Sequence, residues 1–137
     1  MTSKQTSDRM KRVRQRDTSA EMIARRWLHS QGVRYRVGGR GLPGSPDLAN
    51  RTKGWAIFVH GCFWHGHEGC PAGRSPSTNR AFWVNKINAN RERDARKVRE
   101  LQELGFRVFI AWECDLKRSQ KSSGRVPKAL RSVVRMD

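Results

Sequence analysis

Trp55-Ala56-Ile57-Phe58-Val59-His60-Gly61-Cys62-Phe63-Trp64-His65-Gly66-His67-Glu68-Gly69-Cys70 is the stretch that decides the fold. Trp55 to Val59 is almost wholly apolar. A strand of that kind needs cover on both faces, so it reads as central and buried. His60 to Cys70 then packs two thiols, three imidazoles and two large aromatics into one turn-rich run. Thiolates and imidazoles are preferred zinc ligands. Imidazoles also carry protons near neutral pH. Aromatics in a basic protein suit stacking on bases or wedging between them.

Upstream, Thr18-Ser19-Ala20-Glu21 has the form of a capping box, a hydroxyl followed three residues on by a carboxylate. The helix it opens runs to about Gln31, with Ile23, Ala24, Trp27 and Leu28 on one face and Gly32 as its stop. Val33 to Val37 alternates with period two and is predicted as a strand. Gly38 to Pro46 is a Gly/Pro-rich loop, and Asp47 to Asn50 is a strand joined to Trp55–Val59 by a turn at Lys53-Gly54. Downstream, Pro71 to Asn79 is loop. Arg80 to Leu104 is a long helix, with Trp83, Ile87, Asp94, Val98 and Leu101 at helical steps. Phe106 to Trp112 is predicted as a second buried strand leading to Glu113-Cys114, and Pro127 begins a short last helix carrying Leu130 and Val133. The order α-β-β-β-α-β-α predicts an α/β chain with one mixed central sheet flanked by helices.

The 137 residues suit one domain and one core. Residues 1–17 are polar and basic and are expected to form a flexible arm that orders on DNA, with the folded domain over 18–137. Twenty-nine Lys and Arg against 12 Asp and Glu leave a net charge of +17, which favours a polyanionic partner. No run of 18 apolar residues crosses a membrane, and the basic N-terminus lacks the apolar core of a secretory signal. A cytoplasmic location is expected, with the three cysteines reduced. An odd cysteine count also argues against a disulfide framework and for metal binding.

Four constellations carry chemistry. Cys62, His65 or His67, Cys70 and the distant Cys114 offer a Cys₃His set; four protein ligands would make such a site structural. Pro46-Asp47, followed by the strand ending Phe58-Val59-His60, resembles the metal-dependent nuclease pattern P-D…(D/E)-x-K. Asp47 is a hard oxygen ligand suited to Mg²⁺, but the second acid falls at Phe58 and the lysine at His60. The middle residue, Val59, still offers its carbonyl. Glu21, His60, His65 and Asp94 could pair carboxylates with imidazoles for proton transfer from water. Glu21 equally suits the capping box, and Asp94 a surface pair with Arg91 or Lys97. Phe63, Trp64 and Trp83 are candidates for contact with bases, Trp64 being expected to be exposed in its polar loop.

Together these residues resemble the very short patch repair (Vsr) endonuclease family. The likeness runs from Arg16 to Leu116. It is carried by Arg16-Asp17-Thr18, Leu42-Pro43-Gly44-Ser45-Pro46-Asp47, Phe58 to His65, Phe82-Trp83 with Lys86-Ile87 and Asn90, Arg93-Asp94 and Trp112-Glu113-Cys114. The resemblance implies a restriction-endonuclease-like fold with a structural zinc. The implied activity is nicking of duplex DNA 5′ to the thymine of a T:G mismatch, the product of 5-methylcytosine deamination. It assigns Mg²⁺ to Asp47 and the Val59 carbonyl, and the role of base or water-orienting group to His65 with Asp94 behind it. Support of the metal's water shell and the phosphate falls to His60 and Glu21. It assigns zinc to Cys62, His67, Cys70 and Cys114, and wedging to Phe63, Trp64 and Trp83. A monomer in the bacterial nucleoid, with mismatch-repair proteins as partners, completes the expectation. A nickase without T:G dependence and a non-catalytic zinc-containing DNA-binding module are the alternatives.

Overall fold

Helices cover both faces of a four-stranded sheet built around the apolar run Trp55–His60. The computed structural model describes residues 18–39, 41–121 and 126–136; the expected basic arm over 1–17 lies outside them. The elements are α1 (Ser19–Ser30), β1 (Arg36–Val37), β2 (Leu48–Asn50), β3 (Trp55–His60), α2 (Arg80–Glu103), β4 (Arg107–Trp112), α3 (Glu113–Lys121) and α4 (Lys128–Met136). A 3₁₀ turn spans Pro71–Gly73. Strand order is β1-β2-β3-β4, antiparallel at the first two pairings and parallel between β3 and β4. A parallel pair cannot be closed by a hairpin. The connection contains α2, whose 24 residues span about 36 Å at 1.5 Å per residue.

Alternation along β3 divides its side chains between two layers. Trp55 and Ile57 pack with Leu28 of α1, Leu116 of α3, and Leu130 and Val133 of α4, while Val59 lies partly buried against the same cluster. Ala56 and Phe58 pack with Leu101 and Val98 of α2. Full burial of one such large apolar side chain stabilises the fold by about 1.5–3 kcal/mol, and Trp55, Leu28, Leu48 and Ile57 are all fully buried. By the same alternation His60 follows Phe58 onto the α2 layer, facing Asp94 one turn before Val98. Val59 pairs with Ala111 and His60 with Trp112. The two chains therefore leave the sheet side by side, one into Gly61-Cys62 and the other into Glu113-Cys114.

The hydroxyl half of the capping box is present: the Glu21 N–H donates to Thr18 Oγ1 at 3.2 Å. Three sequence expectations need correction. The strand expected over Val33–Val37 pairs only at Arg36–Val37. Val33 and Tyr35 owe their alternation to core contacts, and the Tyr35 hydroxyl donates to the Arg25 carbonyl. The strand expected to be a second buried one is half-buried, only Ala111 being fully covered, because β4 ends the sheet order. Helix α3 was not foreseen; Leu116 is its fully buried apolar anchor in an otherwise polar stretch. No helix among the described residues is long and apolar enough to cross a membrane.

Candidate active site and metal centre

Two groups of ligand-type side chains grow from the end of β3. In the first, one donor atom from each of Cys62, His67, Cys70 and Cys114 lies within 4.8 Å of the others. His67 Nδ1 is 3.6 Å from Cys62 Sγ and 3.4 Å from Cys114 Sγ. A sulfur and a nitrogen on one tetrahedral zinc lie about 3.5 Å apart, given Zn–S near 2.3 Å and Zn–N near 2.0 Å. Successive turns fold the loop inward: the His67 N–H donates to the Cys62 carbonyl and the Cys70 N–H to the His67 carbonyl. Gly66, at φ +58°, lets the loop lie against α2, where a Cβ would come 2.6 Å from Ile87 Cγ2. Burial, reinforced by the neighbouring thiols, pushes Cys62 up to about 12. Burial also pushes Cys114 up. At Cys70 burial works upward but is outweighed, chiefly by the Ala72 N–H, and the thiol is held low. A thiophilic cation bound there would displace the thiol protons and be held by thiolates.

The second group lines a cleft of roughly 220 Å³ that gathers Glu21, Asp47, Val59, His60, His65, Asp94 and Lys97. Asp47 sits one residue before β2, where the ladder to β3 ends, and its carboxylate stands in for the next backbone acceptor. The Val59 N–H donates to Asp47 Oδ2 at 2.7 Å. Burial pushes the Asp47 carboxyl up. The Val59 bond, a hydrogen bond with Glu21 and the charges of His65 and Lys97 oppose that without cancelling it. Glu21 itself is 2% exposed and lies 3.5 Å from Arg25.

His65 Nδ1 lies 2.5 Å from Asp94 Oδ2. An ionised carboxylate only accepts, so this bond needs a proton on Nδ1, and in the neutral ring the lone pair then lies on Nε2. Burial works upward on Asp94, but the bond and charge of His65 outweigh it and hold the carboxylate low. His60 stacks face to face on His65, ring centroids 3.8 Å apart at 3°. Burial first, then the neighbouring His65, hold His60 down at about 3. Its Nδ1 is buried and has no hydrogen-bond partner among the described residues.

Trp112 separates the two groups. Its ring stacks on His67 at 4.0 Å and meets His60 edge-on at 5.2 Å. A third assembly lies along the start of α2, where Phe63, Trp64 and Trp83 meet edge to face at centroid distances of 5.2 to 6.0 Å. Trp64, expected to be exposed, is buried at 8%. Its ring is caged by the other two aromatics, and its carbonyl accepts a hydrogen bond from the buried Asn90 amide at 3.0 Å. Phe82, edge-on to Trp83, is the aromatic that faces solvent, at 59%.

Of the two imidazoles open to the thiol set, His67 joins it while His65 turns to Asp94. Asp94 pairs with His65, and Arg91 with Glu68. Lys97, Trp112, Asn90 and Phe82 were not singled out as site residues. Lys97 was within reach of the helical period, lying three residues beyond Asp94 on the same face. A larger depression of roughly 750 Å³ runs along β1 and β2 past Arg34, Arg36 and Arg51. It holds none of the converging carboxylates and imidazoles, which line the smaller cleft.

Residues 1–70 match the family described as DNA mismatch endonuclease Vsr. The chain is 44% identical over 115 residues to "DNA mismatch endonuclease Vsr" of Escherichia coli (strain K12), covering 84% of this chain and 73% of that protein. It is 42% identical over 125 residues to "Type II nicking enzyme V.XorIIP" of Xanthomonas oryzae pv. oryzae, covering 91% and 88%. It is 36% identical over 124 residues to "Type II nicking enzyme V.NmeAIP" of Neisseria meningitidis serogroup A, covering 90% and 88%. All three carry the names of endonucleases or nicking enzymes, and the chain is of this class. More narrowly, it belongs to the DNA mismatch endonuclease Vsr family.

Proposed function

We propose that this protein nicks one strand of duplex DNA 5′ to the thymine of a T:G mismatch. The reaction is Mg²⁺-assisted phosphodiester hydrolysis, in a restriction-endonuclease-like fold that carries a structural zinc. The observation behind this reading is convergence. Asp47 before a strand, His60 at a strand end, His65 in a loop and Asp94 in a helix line one cleft. The relative named a mismatch endonuclease supports the T:G substrate, and a charge of +17 supports a DNA partner. Phe63 and Trp83, partly exposed around the buried Trp64, support wedging beside a mismatch, where a wobble pair unstacks at lower cost than a matched one.

The donors suit the two metals. Three thiols and an imidazole at tetrahedral spacing fit zinc. Asp47 and the neighbouring Glu21 carboxyl, with the Val59 carbonyl beside them, fit a hard oxygen-seeking cation. A Mg²⁺ held by these residues would supply charge neutralisation at the phosphate and at the leaving 3′ oxygen. The chain's own groups do the rest. Asp94 fixes the His65 tautomer, and His65 Nε2 takes the proton of the water whose oxygen bonds to phosphorus as the P–O3′ bond breaks. Asp94 then stabilises the imidazolium. His60, neutral throughout the working range, lies against that ring without adding a like charge.

The test is a strand-resolved cleavage assay with Mg²⁺, on T:G duplexes in varied contexts and on matched T:A controls, with Asp47→Ala beside the wild type. Nicking 5′ of the mismatched T, lost in the variant, is the expected result. Equal cutting of matched DNA would move the substrate to a site-specific nickase, the reading that two relatives' names favour. Binding without cutting in every context would reduce the protein to a DNA-binding module.

A further inference from the structure

We infer that Lys97 contacts a non-bridging oxygen of the scissile phosphate, supplying from α2 the cation that a P-D…(D/E)-x-K pattern carries on its strand. In this chain His60 occupies the strand position where that pattern has lysine. Lys97 reaches the same cleft from the opposite wall, one helical turn beyond Asp94, and lines it together with Asp47, His60 and His65. Its charge is felt at three of these groups, Asp47, His60 and Asp94.

The stem of Lys97 is seated by the loop that delivers Asp47. Gly44 stands at φ +72°, and a Cβ there would lie 2.6 Å from Lys97 Cγ, 2.7 Å from its Cβ and 2.9 Å from its Cδ. Only glycine leaves room for that packing. The side chain is half-buried, and it forms no salt bridge among the described residues. A long cation is therefore held by its methylenes while its ammonium is uncommitted. Carboxylates alone would repel a phosphodiester from this cleft, and an ammonium opposite them provides an attractive point for the phosphate oxygen. A pre-oriented donor of this kind acts mainly where charge builds up on phosphorus-bound oxygen in the transition state.

The inference rests on the phosphodiesterase reading above and adds a further catalytic residue to it. The experiment compares wild type, Lys97→Met and Lys97→Arg on two T:G duplexes. One is natural, and the other carries an uncharged methylphosphonate at the scissile position. Single-turnover nicking of the natural duplex should fall roughly 100-fold in Lys97→Met, with partial recovery in Lys97→Arg and an unchanged circular dichroism spectrum. Binding, followed by fluorescence anisotropy without added Mg²⁺, should weaken roughly tenfold for wild type when the methylphosphonate is introduced and hardly change for Lys97→Met. That coupling separates contact with the phosphate from mere neutralisation of Asp47 and Asp94. Neutralisation alone would give losses that simply multiply. Multiplying losses in binding, or Lys97→Met nicking at the wild-type rate, would overturn the inference. If wild type cuts nothing, the phosphodiesterase reading fails, while the binding arm still decides whether Lys97 meets that phosphate.

Discussion

The thiol group and the imidazole–carboxylate group sit on either side of the Trp112 ring, and both draw on the same His60–Cys70 segment. They differ in where their donors point. Cys62, His67, Cys70 and Cys114 aim at one another and tie two separate stretches of chain together. Asp47, His60 and Lys97 instead line an open cleft. Donors that satisfy one another hold structure, whereas donors left facing open space are available to a substrate. One short segment serves both purposes because a planar aromatic wall lies between them.

If that division is right, the largest effect belongs to the thiol side. Apparent binding free energies for structural zinc in small peptides run to about 10 kcal/mol or more, comparable to the whole stability of a domain. Cys114→Ser should lose stoichiometric zinc and its cooperative melt, read by metal analysis and calorimetry. A Cys114→Ser protein that keeps one zinc and melts like wild type would erase the distinction.

The opposite pattern is expected for His65→Ala. Nicking should drop on the order of 10²- to 10⁴-fold, the usual worth of a positioned general base, while zinc content and melting stay unchanged. Retained turnover removes His65 from the mechanism; lost zinc would show that the Trp112 wall does not separate the groups. Asp94→Asn keeps the shape but removes the charge that steadies the imidazolium. Its loss should be smaller, about 10- to 100-fold, in line with other groups that orient a reacting ligand. An Asp94→Asn loss as large as that of His65→Ala would mean that Asp94 does more than orient.

The smallest effect concerns stability against pH. The folded chain holds His60 near 3, against 6.5 for an ordinary imidazole. Between those values the unfolded chain binds the extra proton. The His60 contribution is therefore full above about 6.5 and is lost as pH falls toward 3. Urea midpoints measured from pH 7 down to pH 4 should fall more steeply for wild type than for His60→Asn. Parallel curves would mean that His60 is not held neutral by its burial.

Legibility followed the range of the signal. The central strand was readable because Trp55 to Val59 has no polar face to offer water. The crossover helix was readable because Ile87, Asp94, Val98 and Leu101 keep helical spacing over several turns. Helix α3 was not readable, since one fully buried leucine in a charged stretch makes no period. Trp64 misled for a related reason. Most of the loop that follows it is polar, and Phe63 alone would not cover it; the other ring against it, Trp83, comes from another element.

The sequence by itself determined the chemistry of this protein: which donors are soft or hard, which strand is buried, and that the partner is anionic. Those follow from side-chain type and local period. Residue spacing left His65 and His67 interchangeable, the family resemblance gave zinc to His67, and the tertiary structure is what places His67 among the thiols and His65 against Asp94. The choice is made by Asp94 from α2 and by Cys114, brought beside Cys62 through the parallel register of β3 and β4. Lys97 was decided in the same way. Its place beside Asp47 and His60 depends on distance across a cleft, and the separation along a chain does not encode that distance.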